Sequence, residues 1–141
     1  MTIEKCTAAD HLELSDIWER SVRTSHNFLP EDIIKEIKDS LIHCYFQKVD
    51  LYALKKDHTP IGFIGLSGIK IEMLFIDSNK QGLHYGSMLI EFAKQNGARL
   101  VDVNEQNPSA LEFYKAKGFN IIGRDQTDDA GRPYPILHLS L

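Results

Sequence analysis

Two stretches of this chain place glycines, backbone donors and polar side chains in patterns that can do chemistry. The first is Leu74-Phe75-Ile76-Asp77-Ser78-Asn79-Lys80-Gln81-Gly82-Leu83-His84-Tyr85-Gly86-Ser87. An apolar segment runs into a polar, glycine-bearing one. Tyr85, Met88, Leu89 and Phe92 then recur at i, i+3, i+4 and i+7, the spacing of an amphipathic helix. A strand–loop–helix of this kind aims unpaired N–H groups and the positive end of a helix dipole at one point, where an anion such as a phosphate would bind. Gly82 and Gly86 would let the main chain approach it closely. A plain connection whose glycines serve only the turn accounts for the same residues, and this loop alone leaves both readings open. It is not a Walker loop, because GxxxxGK[ST] occurs nowhere in the chain. Gly62, Gly65 and Gly68 lack the spacing of a dinucleotide fingerprint and fall within and just after a strand, where a bulge or close packing of small residues explains them.

The second stretch is Asn104-Glu105-Gln106-Asn107-Pro108-Ser109-Ala110-Leu111-Glu112-Phe113-Tyr114-Lys115-Ala116-Lys117-Gly118-Phe119. Asn107-Pro108 opens a helix and Gly118 ends it. Upstream, Glu72 is the one carboxylate in the largely apolar run at 69–76. Buried there it would have a raised pKa and make a plausible base; on the polar face of a half-exposed strand it would be an ordinary solvated acid. Both positions remain open at this point.

The remaining elements must hold these stretches in place. Residues 2–6 read as a short strand, and Thr7 with Asp10 as a helix start. Leu12, Ile17, Trp18 and Val22 carry a helix to about Ser25, and Pro30-Glu31-Asp32 opens another with Ile33, Ile34, Ile37, Leu41 and Ile42 on its apolar face. Strands follow at 51–54 and 61–66 around the turn Asp57-His58-Thr59-Pro60, then at 69–76. After the helix at 85–92 come a strand at 100–103, the helix to Lys117, and strands at 119–123 and 136–141. The order β-α-α-β-β-β-α-β-α-β-β predicts a mixed α/β sheet covered by helices.

With 141 residues, no repeat and no linker-like tract, the chain is expected to form a single domain over residues 1–141. Sixteen basic against twenty acidic side chains give a formal charge of -4, and no basic stripe suits nucleic acid. Met1-Thr2-Ile3-Glu4-Lys5 begins no apolar signal core, and no run approaches the ~20 apolar residues of a membrane helix, so a cytoplasmic protein without a membrane partner is expected. Cys6 and Cys44 lack metal or disulfide spacing; His11, His43, His58 and His138 have no ligand spacing either, so no metal is expected.

Taken together, the two stretches resemble the GCN5-related N-acetyltransferase (GNAT) family. There a strand followed by Q/R-x-x-G-x-G/A binds the pyrophosphate of acetyl-CoA, and a later N-x-x-A-x-x-F-Y-x-x-x-G-F supplies the next strand–helix unit. Asn107, Ala110, Phe113, Tyr114, Gly118 and Phe119 fill the second pattern without a gap. In the first, Gln81 and Gly86 match, but His84 stands where the first glycine is usual. The specific motifs cover about residues 72–119.

The resemblance implies a mostly antiparallel central sheet, helices on both faces, and two parallel strands, at 70–76 and 99–104, splaying apart around acetyl-CoA. Leu74, Phe75 and Ile76 would hold the pantetheine arm by strand-like pairing, and donors near Leu74 and Phe75 would polarise the thioester carbonyl. Backbone N–H groups of Gln81, Gly82, Leu83, His84, Tyr85, Gly86 and Ser87 would hold the pyrophosphate, with Asn107 adding a contact beyond its capping role. Tyr114 falls where the family's general acid lies, and a phenol protonated at neutral pH would donate to the leaving thiolate. Glu72 would be the base. The acceptor, a small-molecule amine or a protein amino group, would meet His26, Asn27 and Phe28 between the first two helices, Asn104 at its strand end, and Arg132 on the opposite wall. A turn, a helix–helix loop and a hairpin explain the same three regions without substrate. A non-catalytic acyl-CoA-binding module of the same fold is the alternative function, and a homodimer through exposed strand edges or the C-terminal strand is a further expectation of the resemblance.

Overall fold

A computed structural model describes residues 1–25, 29–82 and 84–141. The N-terminal strand β1 (Thr2–Lys5) leads through a 3-10 turn into α1 (His11–Ser25). At that entry the Thr7 N–H donates to the Asp10 carboxylate at 2.8 Å, the back-reach that a capping-box Glu or Gln would supply. Helix α2 (Glu31–Ser40) does not stop at its last predicted apolar residue. It widens into a π turn at Leu41–Tyr45 and runs on as α3 (Phe46–Lys48).

Strands β2 (Asp50–Lys56) and β3 (Thr59–Ser67) form a hairpin through Asp57 and His58, both left-handed at φ 52° and 68° as a tight two-residue turn requires. Next come β4 (Lys70–Ile76), α4 (Tyr85–Gln95), β5 (Leu100–Asn104), α5 (Pro108–Ala116), β6 (Asn120–Asp125) and β7 (Ile136–Ser140). They complete a seven-stranded sheet in the order β1-β2-β3-β4-β5-β7-β6. Every neighbouring pair is antiparallel except β4 and β5. Both the element order and the mixed sheet agree with the sequence reading. Within the chain β7 has β5 on one side and β6 on the other, while β1 and β6 are the outer strands of the sheet.

Each face of the sheet carries its own core. Leu14, Ile17, Trp18 and Val22 of α1 pack with Ile34 and Leu41 onto Leu51, Ala53 and Phe63. On the other face, Leu89, Ile90 and Ala93 of α4 and Tyr114 of α5 pack onto Ile64, Ile71, Val101, Val103 and Leu139. Strand β3 is covered on both sides, which is why it reads as one apolar run instead of an alternation. Its glycines are there for close packing. A Cβ at Gly62 would stand 2.9 Å from the carbonyl oxygen of Phe75, and one at Gly65 would stand 2.8 Å from Met73.

The C-terminal strands are also tied by charge. Lys70 on β4 donates to Asp102 on β5 at 2.8 Å, Asp102 meets His138 Nδ1 on β7 at 2.7 Å, and His138 Nε2 meets Asp125 on β6 at 2.7 Å. The hydrogen bonds to Asp102 and Asp125 raise the His138 pKa above its ordinary 6.5. The folded state therefore holds the His138 proton more tightly than the unfolded chain does. This contribution to stability is complete below pH 6.5 and is lost as pH rises through the raised folded value. Urea unfolding between pH 6 and pH 8 should show a fall in stability toward the alkaline end that His138→Gln flattens; identical pH slopes for the two proteins would refute it.

Candidate active site

The parallel pair holds together for only two registers, Lys70 with Leu100 and Ile71 with Val101. Beyond them β4 stays on β3 while β5 turns away with β7, so one edge of β4 from residue 72 onward is left without a strand partner. A bulge enters β4 at the same place. Gly65 pairs with Met73 but Leu66 with Ile71, so Glu72 is the extra residue. The resulting cleft has a volume of about 570 Å³, within the range of small-molecule sites. Leu74, Phe75 and Ile76 form one wall, Val103, Asn104 and Asn107 the other, and Tyr114 lies on it from α5.

At the far end of β4 the chain makes a 3-10 turn at Ser78–Lys80 and enters α4. No side chain caps this helix. Its first internal bond runs from the Met88 N–H to the His84 carbonyl at 3.2 Å, so the N–H groups of Tyr85, Gly86 and Ser87 have no acceptor within the helix. All three residues line the cleft, as do Gln81, Gly82 and His84. These open donors, set on a helix dipole, fit a diphosphate. A Cβ at Gly86 would press on the Phe113 ring at 3.2 Å, so glycine here lets the first turn of α4 sit against α5.

His84, which replaces the usual glycine, is left-handed at φ 64°. That backbone conformation is natural to glycine and strained for a residue with a Cβ. The imidazole itself does not cap the helix.

Tyr114 is 7% exposed and packs edge-on against Phe113 and Phe119. Its hydroxyl bonds to no described residue, yet no buried side-chain polar atom among the described residues lacks a partner; the hydroxyl therefore meets the solvent of the cleft. Burial pushes its pKa well above the ordinary phenol value, so the proton is retained at neutral pH.

Glu72 is not buried, and the desolvated base considered from sequence is not found. The bulge turns Glu72 to the exposed rim, where it lines both this cleft and a second cavity of about 420 Å³. Asp102 also lines both. Asn104 reaches the cleft, but its side-chain carbonyl accepts from the Gln106 N–H at 2.9 Å, the turn-forming use of a strand-end asparagine. Asn107 caps α5, accepting from the Ala110 N–H at 3.2 Å.

Arg132 does not line the main cleft. It binds carboxylates of this same chain, Glu36 on α2 at 2.6 Å and Asp128 at 3.4 Å, and so pins the β6–β7 connection to α2. His26, Asn27, Phe28 and Leu83 lie outside the described residues. Sequence reasoning missed Ser21, Lys80, Asp102 and Lys117, all of which line the cleft. Lys80 directly precedes the first motif and Lys117 occupies a variable position of the second, and cations beside a phosphate site were a signal available in the sequence. Ser21 and Asp102 come from elements that only the fold brings near.

A splayed parallel pair, an uncapped helix beneath it and a tyrosine at the seam define an acyl-CoA-binding N-acetyltransferase fold. The family model described as "Acetyltransferase (GNAT) domain" matches residues 47–121, and this chain belongs to that family. It is 40% identical over 130 residues to the peptidyl-lysine N-acetyltransferase YjaB of Escherichia coli, covering 91% of this chain and 88% of that one. The Salmonella typhimurium protein of the same name is 39% identical, over 90% and 88% of the two chains. The solution structure of apo YjaB from Escherichia coli matches with a TM-score of 0.90 at 35% identity, covering 99% of this chain and 95% of that chain. The PaiA N-acetyltransferase of Thermoplasma acidophilum in complex with coenzyme A shares the fold, with a TM-score of 0.68 at 18% identity over the full length of both.

Relieving the left-handed strain should stabilise the protein. His84→Gly is expected to add about 1 kcal/mol at equilibrium, less the greater freedom glycine has in the unfolded chain. Thermal denaturation compares the two, and a lower melting temperature for the glycine variant would count against strain at this residue.

Proposed function

We propose that this N-acetyltransferase moves the acetyl group of acetyl-CoA directly to a lysine side chain of a protein, with Tyr114 as general acid and Glu72 as base. The observation that carries the catalytic assignment is the place of Tyr114, a phenol that keeps its proton at neutral pH, with its ring fixed in the core and its hydroxyl open to the cleft. In this reading the pantetheine arm lies along the unpartnered edge of β4 at Leu74, Phe75 and Ile76. The diphosphate is held by main-chain donors of Tyr85, Gly86 and Ser87, with Gln81, Gly82, His84 and Asn107 around it. Lys80 and Lys117, both on the cleft lining, supply compensating charge.

The amine nitrogen attacks the thioester carbonyl, and a backbone donor near Leu74 or Phe75 stabilises the oxyanion. On collapse the C–S bond breaks, the thiolate takes the Tyr114 proton, and the second proton of the attacking nitrogen restores the phenol through cleft water. The proton lost by the ammonium passes to Glu72, directly or through water. Glu72 is well placed for this at the rim shared by the two cavities, because it meets an acceptor arriving from solvent.

A cationic acceptor is supported by the second cavity. Five carboxylates, of Glu36, Glu72, Asp102, Asp128 and Asp129, line it against Lys70 and Arg132, and Tyr45 offers an aromatic wall. Negative potential favours an ammonium, and the aromatic face suits the methylene stem of lysine. The peptidyl-lysine activity in the names of the two YjaB relatives points the same way. A cytoplasmic setting, in which Cys6 and Cys44 stay as free thiols, belongs to the same proposal.

Thiol release from acetyl-CoA, measured with a lysine-containing peptide, tests the reading. The wild-type protein should turn over, and Tyr114→Phe should lower kcat by roughly 100-fold while leaving KM for acetyl-CoA nearly unchanged. Glu72→Gln should lower kcat/KM for the peptide, with part of the loss recovered at alkaline pH where free amine becomes abundant. Coenzyme A binding without turnover on any amine would replace this proposal with a non-catalytic acyl-CoA-binding module.

A further inference from the structure

We propose that Arg20 of α1 is a positioning residue for the diphosphate turn, acting through Asp77. This inference rests on the reading above in which Tyr85, Gly86 and Ser87, with Gln81, Gly82 and His84 around them, hold the diphosphate. Asp77 is the point at which the chain leaves the sheet, one residue past the last ladder pair of β4, Gly62 with Ile76. Its N–H donates to the Ile61 carbonyl at 2.8 Å, and its own carbonyl accepts from the Lys80 N–H at 2.9 Å. Its carboxylate takes both arms of Arg20, Nε to Oδ1 at 2.9 Å and Nη2 to Oδ2 at 2.8 Å, across 57 residues of chain. That two-point geometry fixes orientation as well as distance. The Arg20 guanidinium holds the Asp77 carboxyl below its ordinary range, so the pair stays ionised at neutral pH.

Among the described residues, the turn beyond Asp77 is tied back to β4 through Gln81 Nε2, 3.4 Å from the Ile76 carbonyl. A Cβ at Gly82 would meet nothing within 4 Å, and His84 is left-handed and contributes no cap. A second, longer tie starts from the next residue of the same helix: Gln81 Nε2 lies 3.5 Å from the hydroxyl of Ser21, which is itself a cleft-lining residue. Helix α1 therefore holds the turn at its first residue and again four residues later. The helix is held to the sheet by Leu14, Ile17, Trp18 and Val22, none of which involves Arg20. The Arg20 side chain is 50% exposed and that of Asp77 only 13%, so loss of the pair also costs the fold some stability, as a largely buried carboxylate loses its cation. Its effect should appear where the turn must be aimed. Freed from Arg20, the turn would present its donors correctly for a smaller fraction of the time, and apparent affinity falls in proportion to that fraction.

The experiment is calorimetric titration of the whole chain with coenzyme A, alongside steady-state kinetics with acetyl-CoA. Arg20→Gln and Asp77→Asn should each weaken coenzyme A binding by about tenfold and raise KM for acetyl-CoA equally, with kcat unchanged. The double variant should be no worse than either single one. Arg20→Lys should recover only part of the loss, because an ammonium cannot engage both carboxylate oxygens. Unchanged affinity in both single variants, additive losses in the double, or a fall in kcat with KM intact would each overturn the proposal. Should Arg20→Gln lower the melting temperature too far to titrate, Arg20→Lys decides, and wild-type affinity in that variant overturns it. Failure of the wild-type protein to bind coenzyme A would instead reject the diphosphate site itself.

Discussion

The organisation of the site depends on the separation of β4 and β5 after Ile71 and Val101. Backbone N–H and C=O groups buried away from a partner are costly, and a sheet normally gives each strand edge a neighbour. Here the edge of β4 is left open at the centre of a seven-stranded sheet, where it is sheltered from pairing with another protein but accessible to an extended ligand. An acyl-pantetheine arm is a chain of amides that can take the place of the missing strand. The bulge at Glu72 and the connection through α4 both serve this separation, the first by bending β4 and the second by placing an uncapped helix terminus at its end.

Keeping a sheet open at its centre requires the two halves to be held from outside the gap. On one face α4 and α5 bridge it, packing Leu89, Ile90 and Tyr114 onto residues of both β4 and β5. At the base, Lys70, Asp102, His138 and Asp125 link four strands in a row. On the opposite face α1 and α2 cover β2, β3 and β4 alone, leaving the cavity beside Glu72 and Asp102 open. Lys38 bonded to Asp16 and Glu19, and Arg23 bonded to Glu31, join these helices to one another. Arg132 then fastens the β6–β7 connection to α2. The side of the second cavity is thus bounded by ion pairs, whereas the side of α4 and α5 is bounded by a packed apolar core.

Tyr114 shows how one residue serves both needs. Its ring fills space between Phe113 and Phe119 in the core, which fixes the direction of the C–O bond. The phenol carries its proton at neutral pH wherever it lies, and burial raises its pKa further. A residue held on the surface of α5 would lack the fixed direction.

Local chemistry made much of this protein legible in its residues. The order of elements follows from apolar periodicity and from Pro, Gly and Asn at the element ends, because those signals act over a few residues. The glycine-bearing turn ahead of α4 and the Tyr114 helix were legible for the same reason, each being a contiguous motif. Contacts across the chain were not. Arg132 carries a guanidinium suited to a substrate carboxylate, and only folding brings Glu36 and Asp128 to claim it. Glu72 lies in an apolar run that left its burial open, and the bulge that turns it outward arises from the register between β3 and β4. Ser21, Asp102 and the Arg20–Asp77 pair likewise depend on which elements meet. Residue types alone settle which groups can donate, accept or hold a proton, because that is covalent chemistry; their partners are chosen by packing, which joins residues far apart in the chain.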